Sequence, residues 1–162
     1  DIFIKGREIN ESMHEVVANS VINKLTELGK DLTKAKVAVC GVAFKGNPET
    51  GDIRNSSAVD IINLLKNKIK NIHCYDAVAL KQEIIELDVT PVNLEAAFEL
   101  SDAILFLNNH KIFEKINIIE MVSKMNNHPI VYDGWNLFRA DDVLSAKQSV
   151  YMGLSFQKSS IK

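Results

Sequence analysis

The chain has 162 residues, enough for one domain with a real core, and its 46% hydrophobic and 25% charged residues exclude wholesale disorder. With 19 basic and 21 acidic residues the net charge is -2, which excludes a general pull toward nucleic acid or an anionic membrane surface. No apolar run is long enough to cross a bilayer and no basic-then-apolar signal segment opens the sequence, so the expected setting is the cytoplasm.

Across residues 10–28, Met13, Val16, Val17, Val21, Leu25 and Leu28 recur at helical spacing. Ser12 and Glu15 offer a capping box near the start of that helix, and Gly29 a stop. KVAVCGVAF follows, a continuous apolar run of the kind a buried parallel strand shows. After a turn, SAVDIINLLKNK is helical, with Val59, Ile62, Leu65 and Ile69 on one face and Ser56 or Ser57 as its cap. NIHCYDA is a second strand, ending in Asp76. Residues 79–87 read as a helix, 89–92 as a short strand and 94–100 as a helix. DAILFLN is a fourth strand, with little polarity on either side of it. Residues 112–125 are read as a helix with Ile116, Ile119 and Val122 facing inward. HPIVYDGW is a fifth strand, then a turn and a short helix, and SVYMGLSF adds a sixth, edge strand before a polar tail.

Strand and helix alternate with short connections and no repeat. That order calls for an α/β fold, a Rossmann-like three-layer sandwich whose mainly parallel sheet has five to six strands and is preceded by a helix. Ligands of such a sheet bind beyond the carboxyl ends of its strands, near the switch in strand order. Three segments converge there: the turn after the first strand, Asp76 and Ala77 after the second, and DGWN after the fifth.

A dinucleotide fingerprint needs G-x-G-x-x-G, so that backbone meets pyrophosphate at a helix start. Here Gly41 is followed by Ala43 and Phe44, and the helix does not begin until about Ser56. Asp76 imitates the ribose-binding acid, but NAD held in the usual way by this domain alone is not expected. Taken as it stands, the turn carries Lys45 to the sheet edge, where an ammonium can meet a phosphate or a sugar hydroxyl. Asp52 and Arg54 lie later in the same loop, placed to pair with each other or to reach a second charged ligand. Arg54 is one of only three arginines, with Arg7 and Arg139, so its planar fork draws interest. A solvated loop with a surface ion pair is the competing reading.

Cys40 and Cys74 lie in apolar strand runs and read as buried reduced thiols. His14, His73, His110 and His128 show no metal spacing, and none is assigned to catalysis. Trp135 either stacks on a flat ligand or covers the sheet edge.

At this point the turn is specific enough to name. GVAFKGNPETGDIRNSSAVDIINLL resembles the segment that opens the C-terminal domain of the UDP-sugar 6-dehydrogenases, the UDP-glucose and UDP-N-acetylhexosamine enzymes. Gly41, Ala43, Phe44, Lys45, Asp52, Arg54 and Ser56 match the G-x-A-F-K and D-x-R-x-S elements of that pattern. REINESM resembles the end of the family's long central helix, YDA its Y-D-P, and DGWN its D-x-R-N. The likeness runs over about residues 5–155.

What the resemblance implies is a part of an enzyme. An N-terminal domain binds NAD, a central helical segment supplies the catalytic cysteine and lysine, and the C-terminal domain grips the UDP-sugar. The reaction oxidises the C6 alcohol to a carboxylate in two hydride transfers, by way of a thiohemiacetal and a thioester on cysteine. On this resemblance residues 1–30 are the end of the central linking helix and residues 31–162 the UDP-sugar-binding domain. No residue of this chain is expected to be catalytic, and the piece alone is expected to be inactive. Its partners would be the UDP-sugar and the N-terminal and central domains of the same enzyme, the whole forming a homodimer. No nucleic acid or membrane partner is expected. Phe44 and Lys45 are implied to contact the UDP-sugar, Arg54 the NAD on the other domain, and Asp52 to orient Arg54 or the loop.

Three departures qualify the pattern. The loop from Lys45 to Arg54 is longer than in the UDP-glucose enzymes and nearer to variants that use N-acetylated sugars. Trp135 stands where the family has an arginine on the substrate; it is assigned to substrate binding by stacking, without phosphate pairing. His14 replaces a common proline. The alternative from another class is a stand-alone, Rossmann-like nucleotide-sensing module without catalysis. Because the chain opens on Asp1 rather than Met, a piece of a longer protein is expected.

Overall fold

The structure is a computed structural model and describes residues 2–162. Its centre is a seven-stranded sheet: β1 (Lys36–Cys40), β2 (Asn71–Tyr75), β3 (Thr90–Pro91), β4 (Ala103–Phe106), β5 (Ile130–Asp133), β6 (Val150–Met152) and β7 (Gln157–Ser159). The spatial order is β3-β2-β1-β4-β5-β6-β7, parallel throughout except for β7. The order reverses between β1 and β4, which makes their carboxyl ends the switch point of a doubly wound sheet.

Side-chain alternation along the strands feeds two cores. Val37 and Val39 of β1 face one way, into a core shared with α1 (Ile2–Glu27), α2 (Ser57–Lys66) and Ile84 of α3 (Lys81–Glu86). Ala38 and Cys40 face the other way. That side is covered by α4 (Leu94–Phe98), a 3-10 turn at Lys111–Lys115, α5 (Ile118–Ser123) and α6 (Ala140–Ala146). With both faces covered, β1, β4 and β5 are almost wholly buried, which explains their unbroken apolar runs.

The three-layer α/β sandwich is therefore as expected, and the strand count is corrected from five or six to seven. SVYMGLSF does not form the edge. It contributes β6, and β7 pairs antiparallel beyond it, out of what read as a polar tail. All three residues of β7 are exposed, so no apolar alternation announced it.

Three further differences have local causes. The first helix begins at Ile2, and Ser12 is inside it, donating its hydroxyl to the Ile9 carbonyl at 2.7 Å rather than capping a start. Burial begins at Val17, while Val16 remains 50% exposed. The helix read across 112–125 is split, because the Asn117 side chain accepts the Glu120 N–H and starts α5 afresh. That restart turns Ile118 inward and leaves Ile119 exposed.

Candidate functional site

β1 stops at Cys40 because Gly41 takes φ +92° and turns the chain across the switch point. A Cβ there would sit 2.5 Å from the Asn108 side chain, so both the conformation and the space require glycine. The next two backbone N–H groups, of Val42 and Ala43, both donate to Asp76 Oδ2 at 2.8 Å. Asp76 Oδ1 accepts from Val78 and Ala79 at 2.9 and 2.8 Å.

In a dinucleotide cradle, N–H groups at this place meet the pyrophosphate. Here a carboxylate of the chain itself stands there. Asp76 is thus a staple between two turns, and its likeness to a ribose-binding acid is superficial. NAD does not fit this turn: its pyrophosphate would meet a carboxylate and find the two N–H groups taken.

Phe44 and Lys45 come next, on the turn rather than on the strand. The Phe44 N–H donates to the Asp52 carbonyl at 2.8 Å, while its residue is 56% exposed. Lys45 is exposed, and its ammonium has no hydrogen bond or ion pair among the described residues. Asp52 and Arg54 pair through a fork, Nε to Oδ1 at 3.0 Å and Nη2 to Oδ2 at 2.8 Å. The Arg54 N–H adds a third bond to Oδ1 at 2.9 Å. The guanidinium bonds, and then this backbone bond, hold the Asp52 carboxyl down at about 2. The Arg54 side chain is 85% exposed, so its fork is fixed at one end and open to solvent. Ser56 closes the loop: it caps α2 at the Ala58 N–H and donates to the Val42 carbonyl at 2.7 Å.

The far wall of the switch point follows β4. Asn108 donates to the Ala43 carbonyl at 3.3 Å and accepts from the His110 N–H at 3.3 Å. His110 Nε2 lies 2.7 Å from Glu49 of the long loop. Asn108 and Glu49 were not singled out from the sequence, and His110 drew notice there only as a histidine without metal spacing or catalytic role. Glu49 and His110 are 61 positions apart, and no spacing rule links them.

After β5, the buried Asp133 accepts the N–H groups of Trp135, Leu137 and Phe138 and the Tyr151 hydroxyl, at 2.7 to 3.1 Å. This carboxylate shapes the DGWN turn. The Trp135 indole N–H donates to the Leu107 carbonyl at 3.1 Å, which ties one edge of the ring to the end of β4. The residue is still 50% exposed. Beside the turn opens a cleft of about 560 Å³ lined by Asn136, Phe138, Arg139, Tyr151, Phe156 and Lys158.

Cys40 and Cys74 are buried and unpaired. Burial pushes both thiols up, Cys74 to about 12, so neither is a thiolate nucleophile at neutral pH. Among the described residues no group of three or more His, Cys, Asp or Glu is arranged to hold a metal ion.

The family described as the UDP-glucose/GDP-mannose dehydrogenase family, UDP binding domain, matches residues 38–140. The chain belongs to that family. The matched span includes Phe44, Lys45, Asp52, Arg54 and Trp135. Over 138 residues it is 31% identical to a UDP-N-acetyl-D-mannosamine dehydrogenase of Pyrococcus horikoshii, covering 85% of this chain and 30% of that protein. A namesake from Methanococcus maripaludis is 33% identical over 140 residues, covering 83% and 30%. The solved structure of a UDP-D-ManNAc dehydrogenase from Pyrococcus horikoshii superposes with a TM-score of 0.74 at 28% identity, over 91% of this chain and 32% of that one. The chain thus spans 30% of the length of each of these two relatives.

Proposed function

We propose that this chain is the C-terminal, UDP-sugar-gripping domain of an NAD-dependent UDP-sugar 6-dehydrogenase. The parent enzyme oxidises the C6 alcohol of a UDP-N-acetylhexosamine, or of UDP-glucose, to the uronate used in cell-surface polysaccharides. Residues 31–162 form the gripping domain and residues 1–30 the end of the central helix that joins it to the rest of the enzyme. The N-terminal domain of that enzyme holds the NAD, the central part supplies the catalytic cysteine, and the whole is a cytoplasmic homodimer.

One observation carries this reading: Lys45 stands at the switch point with an exposed ammonium that no described protein group neutralises. An unpaired cation at a sheet's carboxyl edge suits a diphosphate. The exposed faces of Phe44 and Trp135 supply flat apolar surface for the uridine or the sugar. Arg54, held by Asp52 and open to solvent, is placed to meet charge presented from outside the domain, which suits a cofactor carried elsewhere. The Asp76 staple weighs against the nucleotide-sensing alternative in its NAD form, because it fills the cradle such a module would use.

The test is amide chemical-shift mapping with UDP. Shifts clustered at residues 43–46 and 134–136 support the reading. Shifts confined to the cleft lined by Arg139 and Lys158, or no saturable shift at all, contradict it.

A further inference from the structure

Lys45 owes its position to its neighbours. On one side, Phe44 is fixed by its N–H bond to the Asp52 carbonyl. On the other, Gly46 is pressed against the chain after β4, where a Cβ would sit 2.1 Å from the His110 backbone nitrogen. No side chain fits there, so loop and wall meet backbone to backbone.

The same wall holds the loop a second time. His110 is only 8% exposed, and its Nδ1 accepts the Ile112 N–H at 3.1 Å. The neutral ring therefore carries its proton on Nε2, which donates to Glu49 Oε2 at 2.7 Å. Phe113 stands edge-on to the ring, with centroids 6.4 Å apart, and helps to set its plane. Glu49, whose side chain is 51% exposed, thus ties a solvent-facing loop to a buried, doubly held imidazole.

We propose that Glu49 and His110 are positioning residues: their bond fixes the loop so that Lys45 meets the diphosphate of the nucleotide sugar with little loss of freedom. The inference rests on the reading of Lys45 given above. A loop ordered before binding leaves less entropy to be lost in the complex. Removing the clasp costs about one hydrogen bond's worth of order, which corresponds to a weakening of roughly fivefold to tenfold.

The experiment is calorimetric titration of the chain with UDP, comparing the wild type with Glu49→Ala, Glu49→Gln, Lys45→Ala and the Glu49→Ala/Lys45→Ala double variant. Amide hydrogen exchange of residues 46–52 is followed alongside. Glu49→Ala should raise Kd by about fivefold to tenfold and speed exchange in the loop. Glu49→Gln, whose amide oxygen accepts the same Nε2–H bond, should stay within about twofold of wild type. In the Lys45→Ala background, Glu49→Ala should change Kd no further, since the clasp acts through Lys45.

An unchanged Kd in Glu49→Ala, a Glu49→Gln variant as weak as Glu49→Ala, or a full loss retained in the Lys45→Ala background would each overturn the inference while leaving UDP binding in place. A wild-type chain with no saturable UDP binding would overturn the functional reading and the inference with it.

Discussion

Asp76 Oδ2 lies 2.8 Å from the backbone nitrogen of Val42, where a nucleotide-binding turn of this topology offers its N–H to a phosphate. The same oxygen takes the Ala43 N–H, and Oδ1 takes those of Val78 and Ala79. One carboxylate therefore locks the turns after β1 and β2 together and leaves the side chains beyond them, Phe44 and Lys45, exposed.

Replacing Asp76 by Ala removes the acceptor for four N–H groups. The cost expected is about 2–4 kcal/mol of folding stability, read by urea denaturation. A loss below about 0.5 kcal/mol would show that water satisfies these turns equally well.

The Asp52–Arg54 pair has a pH signature. The hydrogen bonds from Arg54 lower the Asp52 carboxyl from 3.8 to about 2. A depressed folded-state value means a contribution that is present above the unfolded value and lost as pH falls through the folded one. The window is thus from about pH 4 down to about pH 2. The Asp52 carboxyl carbon should titrate near the lower limit in wild type and return toward the ordinary carboxylate range in Arg54→Ala. Equal midpoints in the two proteins would show that the fork does not persist in solution.

Much of this arrangement was legible in the sequence. Gly29 ends α1, with the Gly29 and Lys30 N–H groups returning to the Thr26 and Leu25 carbonyls, and Ser56 caps α2. The buried strands read as apolar runs because both faces of the sheet are covered. The Asp52–Arg54 loop drew notice through residue type and short spacing.

Other features left no local mark. The exposed β7 has no apolar face to show, and the first turns of α1 bury nothing that would set a helical period. Asp76 has the residue type and place of a ribose acid, and only its hydrogen bonds reveal that it points back into the turn. The Glu49–His110 bond joins residues brought together by the pairing of β1 with β4, which spacing along the chain does not encode.

Tyr151 offers a test of the DGWN turn. Burial first, and then its bond to Asp133, push the phenol up from its ordinary value. Tyr151→Phe leaves the buried Asp133 with one donor fewer, at a cost of about 1–2 kcal/mol by denaturant unfolding. Loosening of the turn should also move Trp135. An unaltered stability would mean that the three backbone N–H groups suffice for this carboxylate.

Trp135 is the only tryptophan, so its fluorescence reports on the candidate site without labelling. Saturable quenching or enhancement on addition of UDP is expected, with the same midpoint as calorimetry. Binding heat with no change in emission would place the ligand away from the indole and remove Trp135 from the substrate contacts.

The role proposed for Lys45 and its turn is to hold a uridine nucleotide sugar. The most direct measurement is calorimetric titration of wild type and Lys45→Ala with UDP-N-acetylmannosamine, UDP-N-acetylglucosamine, UDP-glucose, NAD and ATP. Saturable binding of the uridine compounds is expected, weakened about tenfold or more in Lys45→Ala by loss of a charge-assisted contact, with no saturable response to NAD or ATP. Binding of NAD or ATP with silence from every uridine compound, or uridine binding indifferent to Lys45, would contradict it.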